Sequence, residues 1–232
     1  VPTVAYDIFE SPEFALLRVK LENGQRMFAE PAAMAGMDTS IELKSGLKGG
    51  LLGSVGRMFA GENLIVNTYR AAQGAGEVLL APAAPGDIVH HPLNSGRLLL
   101  QRGAYLANSE GVELSASWAG AKGFFSGQGL VLLQAQGSGD IFFNAYGAVL
   151  QVDVTREYMV DTGYVVAFED TLQYQVTALP GLGLGRTAKS FFFGGEGLVV
   201  RFSGQGKVWI QTRTVNPFLT WVYPFRPVKK RD

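Results

Sequence analysis

The sequence predicts an all-β fold in which three tandem β units make one pseudo-threefold body, with short helical pieces in a loop and at the C-terminus. Three observations predict it. Thirty glycines and ten prolines accompany abundant Val, Leu, Phe and Tyr, a composition suited to many short strands joined by tight turns. Apolar and polar residues alternate, as in Val112, Leu114 and Ala116 against Glu113 and Ser115, which a strand directs to opposite faces. Finally, two sequence patterns occur three times in the same order.

The first pattern is "RMFAEPAAMAGMDTSIEL", "LLLQRGAYLANSEGVELS" and "YMVDTGYVVAFEDTLQYQV", aligned around Ala32, Gly103 and Gly163. Each reads as a strand, a tight turn at a small residue, a short strand, a polar turn and another strand. The second is "RMFAGENLIVNTYRAAQGAGEVLLAP", "GFFSGQGLVLLQAQGSGDIFFNAYG" and "FFFGGEGLVVRFSGQGKVWIQTR". Here an apolar strand follows the anchors Gly61, Gly127 and Gly195, and a Gly-x-Gly turn ending at Gly76, Gly139 or Gly206 leads into a second strand. The units fall at about 10–82, 83–149 and 150–214, followed by a C-terminal segment 215–232. No Ser/Pro-rich or charged linker separates them, so residues 1–232 read as a single domain.

Between the two patterns of each unit lies a Gly-rich loop. The first, "GLKGGLLGSVGRMFAG", has "SWAGAKGFFSG" and "ALPGLGLGRTAKSFFFGG" as counterparts, each with a cation near the aromatic: Arg57, Lys122 and Lys189. Their lengths differ at one topological point, which places them as loops on one end of the body. None carries the Gly-x-x-x-x-Gly-Lys-Ser/Thr spacing that phosphate binding requires. Leu47, Leu51, Val55 and Met58 or Phe59 recur at helical spacing, so a short amphipathic helix over about 47–58 is expected there, weakened by its interior glycines. Leu47, Leu51, Leu52 and Val55 then need cover from the chain's own core, a neighbour or lipid.

The tail "NPFLTWVYPFRPVKKRD" predicts a helix capped by Asn216, with Pro217 at its first position and Pro224 ending it. Phe218, Leu219, Trp221, Val222, Tyr223 and Phe225 make it aromatic, and Lys229, Lys230 and Arg231 make its end basic. Such a segment caps an open end of the β body, meets another subunit, or lies on a membrane surface.

Charge and residue supply narrow the chemistry. Twenty basic residues balance twenty acidic ones, so the excess positive charge that supports nucleic-acid binding is missing and no nucleic acid is expected. Without cysteine there is no disulfide, thiolate ligand or cysteine nucleophile, which fits a reducing compartment. "VPTVAYDIFESPEF" carries acids and no basic region before an apolar stretch, unlike a signal peptide, and no uncharged apolar run approaches the ~20 residues of a spanning helix. A cytoplasmic protein is expected.

The tempting sites each have a plainer reading. "VDTG" at 160–163 resembles one half of an aspartic-protease dyad, but Asp161 aligns with ordinary turn positions and has no partner motif. His90 and His91, the two histidines, sit side by side, so one strand points them to opposite faces, unlike a His-x-His metal pair. Asp38, Glu169 and Asp170 show no acid/base partner spacing. No catalytic, metal-binding or cofactor-binding residue is assigned, and no enzyme is expected.

The motifs "GLKGGLLG", "RMFAGEN", "VLLAPAAPGDIV", "GFFSGQGL", "VDTGYVVAFED" and "GEGLVVRFSGQGKVWIQTR" together resemble a widespread bacterial family of unknown function. It is related to the mitochondrial altered-inheritance-of-mitochondria proteins. The resemblance runs from Phe14 to Arg213. It implies a fold like that of the tryptophan RNA-binding attenuation protein, in the double-stranded β-helix class, triplicated in one chain. In the mitochondrial relatives it implies a role in inner-membrane organisation. It implies no catalytic residue and licenses no RNA or tryptophan binding.

These readings converge on a non-catalytic structural or interaction protein that forms a homo-oligomer. A peripheral membrane organiser is the first alternative. A small-ligand binder at a unit interface is the second, with Tyr105, Tyr164 and Trp118 as walls and the ligand unknown. The candidate interaction surface comprises Leu47, Leu51, Leu52, Val55, Arg57, Lys122, Lys189, Phe218, Trp221 and Tyr223.

Overall fold

The structure, a computed structural model, describes residues 3–47, 65–117, 132–178 and 198–226. The strands before the first Gly-rich loop are β1 (Ala5–Phe9), β2 (Leu16–Leu21), β3 (Arg26–Ala29), β4 (Met34–Met37) and β5 (Ile41–Leu47). Then come β6 (Ile65–Ala71), β7 (Gly76–Leu80), β8 (Ile88–Gln101), β9 (Tyr105–Ser109) and β10 (Val112–Ser117). β11 (Leu132–Asn144), β12 (Val149–Val154), β13 (Glu157–Asp161), β14 (Val165–Glu169) and β15 (Gln173–Ala178) follow. β16 (Leu198–Ser203), β17 (Gly206–Gln211) and a short helix α1 (Val215–Val222) complete the described chain. The fold is all-β, as expected. The helix expected over 47–58 lies outside the described residues except for Leu47.

Alternation drives strand formation as read. In β2, Leu17, Val19 and Leu21 are buried while Arg18 and Lys20 point outward. In β10, Val112 and Leu114 are buried while Glu113 is exposed. The Gly-x-Gly turns supply positive φ where a side chain would be strained: +119° at Gly74, +123° at Gly137 and +107° at Gly204.

β8 and β11 are the longest strands, and they pair antiparallel from Ile88–Asn144 to Gln101–Leu132. A bulge interrupts the ladder between Gly137 and Ser138, where Ser95 takes φ +58° and its N–H donates to Ser138 Oγ at 3.0 Å. On one side of the bulge β11 takes β9 as its second neighbour, and on the other it takes β10. Pro92 lies in the half of β8 that β14 does not reach, so its missing N–H interrupts no ladder there.

A ten-stranded sheet runs β12–β17–β14–β8–β11–β9–β3–β6–β5, with β10 beside β11. A four-stranded sheet has the order β1–β2–β7–β4, and a three-stranded sheet the order β13–β16–β15. Two junctions join segments that sit apart in sequence, β3 with β9 and β14 with β8. Among the described residues, three apolar clusters fill the interior. The first centres on Leu17, Tyr69, Leu80 and Phe142, the second on Leu98, Leu100, Phe143 and Trp209, and the third on Val165, Phe168, Val200 and Phe202. Phe202 is fully buried with Phe168 edge-on at 5.0 Å, so Phe202→Ala is expected to cost about 3–5 kcal/mol in urea denaturation.

Glu30 sits just beyond β3 at the junction with β9, its N–H donating to Leu106 O at 2.8 Å. Burial pushes its carboxyl up to about 7. Tyr105 is likewise pushed up, first by burial and then by the Glu30 charge. The raised value means that the unfolded chain gives up the Glu30 proton first as pH rises. Stability is therefore complete below the unfolded value, falls as pH climbs to about 7, and levels off above it. Glu30→Gln is expected to flatten that fall in a series of melting temperatures across this window.

Candidate functional site

The most elaborate polar arrangement among the described residues grows from β8. His90 and His91 point to opposite faces, as adjacent strand residues must. His90 Nε2 lies 2.7 Å from Asp140 Oδ1, and its Nδ1 lies 2.8 Å from the Tyr6 hydroxyl. A carboxylate accepts only, so the Nε2–H donates to Asp140, while Nδ1 shares a hydrogen bond with the Tyr6 hydroxyl. Asp140 is 1% exposed, and its other oxygen accepts the Val4 N–H at 2.9 Å. Phe142 flanks the His90 ring at 5.1 Å.

This Asp–His–Tyr chain joins residues that are distant in sequence. Burial, then the Asp140 charge, raises the Tyr6 pKa. What the chain does is tie β1 to β8 and β11. His91 faces Trp209 edge-on at 5.1 Å, and burial first, then the charges of His90 and Lys207, lowers its pKa and keeps it neutral near pH 7.

Other tempting residues have structural work. Asp161 ends β13 and accepts the Gly163 N–H at 2.8 Å, a turn role as read from the sequence. Asp38 Oδ2 accepts the Glu77 N–H, Ser109 Oγ the Asp140 N–H, and Glu169 Oε2 the Lys207 N–H, at 2.9, 2.8 and 2.9 Å. Asp170 pairs with Arg97 at 2.9 Å. Tyr105 is a core residue whose hydroxyl donates to Asn108 Oδ1, not a pocket wall. Tyr164 packs against the third cluster. Among the described residues no three His, Asp or Glu side chains converge on a metal-sized site, and no helix is long and apolar enough to cross a membrane.

Of the candidate interaction residues, Leu51, Leu52, Val55, Arg57, Lys122 and Lys189 lie outside the described residues, as does Trp118. Leu47 closes β5 with its backbone paired to Ile65, so it belongs to a strand and does not open a helix. The β5–β6 ladder reaches further into the loop than helical spacing suggested. In the tail the helix starts earlier than a cap at Asn216 predicts. Thr214 is the N-cap, and Pro217 falls in the first turn, where a missing N–H breaks no intrahelical bond. Pro224 lies in a 3₁₀ turn, Tyr223–Phe225.

No side chain of α1 is buried. Phe218 touches the body edge-on at Tyr146, 6.0 Å between rings, and Trp221 is 66% and Phe225 75% exposed. Further exposed apolar residues lie on β1 (Tyr6, Phe9), β4 (Met34, Met37), β12 (Leu150) and β13 (Tyr158, Met159), and at Phe14. A shallow cleft lined by Glu157, Tyr158, Met159 and Arg201 runs along β13.

Asp140→Ala leaves the Val4 N–H and His90 without their acceptor. It is expected to cost about 2 kcal/mol in urea denaturation and to speed amide exchange in β1 selectively.

The comparisons agree on kinship and name no activity. An uncharacterised protein of Streptococcus pyogenes serotype M6 is 28% identical over 225 residues, spanning 92% of this chain and 87% of its own length. A crystal structure of a Streptococcus pyogenes protein superposes with a TM-score of 0.77 at 25% identity, covering 96% of this chain and all of that one. The family model described as mitochondrial biogenesis AIM24 matches residues 6–213, and the chain belongs to that family.

Proposed function

We propose that this chain is a non-catalytic structural protein that self-associates and is built of three like β units. Support for the triplication comes from pairing order. The trios β2–β7–β4, β8–β11–β9 and β12–β17–β14 share one arrangement, and so do β3–β6–β5, β8–β11–β10 and β13–β16–β15. The ladders β4–β7, β9–β11 and β14–β17 each carry one register shift, beside Met34–Gly36, Tyr105–Ala107 and Val165–Ala167. Attenuation-protein-like units, as the family resemblance implies, suit this order. The lack of cysteine supports a reducing, cytoplasmic setting.

The observation that carries self-association is where the apolar surface lies. Large apolar side chains are exposed in pairs on β4 and β13 and along α1, besides those on β1 and at Phe14 and Leu150, and such grouping is expected of surfaces that meet a partner. Sedimentation velocity is expected to show a particle whose mass is a multiple of 24.9 kDa. A 24.9 kDa species alone, at concentrations up to about 100 µM, would contradict it.

A further inference from the structure

We infer that β4 of one chain pairs with β13 of a second copy, joining copies head to tail by the same kind of seam that joins β3 to β9 and β8 to β14. The inference rests on the self-association proposed above and names its surfaces. In the first internal seam Met27, Phe28 and Ala29 lie opposite Ser109, Asn108 and Ala107. In the second, Leu98, Leu99 and Leu100 lie opposite Glu169, Phe168 and Ala167.

Two sets of contacts fix the corresponding positions elsewhere. Met27, Leu98 and Tyr158 face Tyr69, Ala135 and Phe202 within their sheets. Asp38, Ser109 and Glu169 each accept the N–H of the residue that follows Gly76, Gly139 or Gly206. Both sets give one register: Tyr158, Met159 and Val160 opposite Asp38, Met37 and Gly36 of a second copy.

Among the described residues of one chain this third seam is open. β4 and β13 end their sheets, and neither pairs with the other. Outer edges as such are unremarkable, since β5, β10 and β15 are all edges in corresponding places. β4 and β13 differ because their counterparts are internal. Met34 and Met37 are each 39% exposed, where Tyr105 and Asn108, or Val165 and Phe168, are buried. Tyr158 is 39% and Met159 50% exposed, where Leu98 and Leu99 are buried.

A single chain carries both halves, so a second copy brings the partner strand, with its row of N–H and C=O groups and its own methionine. The contact is heterologous. Repetition closes a ring if the rotation between copies closes, and extends an open array if it does not.

The chain contains no cysteine, which makes disulfide trapping clean. Opposed residues of an antiparallel pair have Cα atoms about 4.5–5.5 Å apart, within disulfide reach. Both positions are exposed, so Met37→Cys and Met159→Cys are expected to fold as the parent does, checked by circular dichroism. Mixing the two single variants under mild oxidation is expected to give about tenfold more covalent dimer than either alone. The double variant Met37→Cys/Met159→Cys is expected to give a covalent ladder in multiples of 24.9 kDa.

A disulfide confined within single chains of the double variant would overturn the inference, because β4 and β13 would then close on each other. Oligomers by sedimentation, with no disulfide between the two introduced thiols, would overturn the seam and leave self-association standing. A monomeric mass throughout would overturn both.

Discussion

The β8–β11 ladder is the interaction on which the rest of the structure depends. Its bulge at Gly137 and Ser138 lets one strand, β11, serve two neighbourhoods, with β9 beside one half and β10 beside the other. β8 extends the same ladder to β14, and β9 extends it to β3. Backbone N–H and C=O groups buried inside a sheet need partners on both sides. The ladder meets that need for the middle of the chain and, in doing so, links all three apolar clusters. Among the described residues, β4 and β13 end their sheets with that need unmet on one side.

The polar groups follow the same architecture. Asp140 sits one residue past Gly139 at the start of a ladder segment, and there it accepts both the N-terminal strand and His90. Glu30 lies at the β3–β9 junction, where burial holds its carboxyl near neutrality. These residues sit where strands from distant parts of the chain meet. Asp140 fastens its junction through two hydrogen bonds, whereas burial of the Glu30 carboxyl weakens the fold as pH rises towards its raised pKa.

What is legible in the sequence is local. Alternation over Val112–Ser115, the Gly-x-Gly turns, the turn role of Asp161 and the divergent faces of His90 and His91 all follow from spacing of a few residues. The Tyr6–His90–Asp140 chain is invisible there because 84 and 50 residues separate its members, and no short pattern encodes that approach. β8 is hard to read as one strand because Pro92 normally breaks a ladder; it is tolerated where β8 has one partner. "MAGM" and "EYMVD" look like any other strands in the sequence. Their exposure emerges from sheet order alone, because the same strand type is internal at β9 and β14 and terminal at β4.

The shortness of the two edges limits indiscriminate pairing. β4 has four residues and β13 five, and short edges give little purchase to foreign strands. The central claim is that these two edges are covered by copies of the same chain. Amide hydrogen exchange in β4 and β13, followed by mass spectrometry across protein concentration, tests it most directly. The account predicts that exchange there slows as concentration rises, approaching the protection of β9 and β14. Exchange in both strands that stays fast and unchanged at every concentration would contradict it.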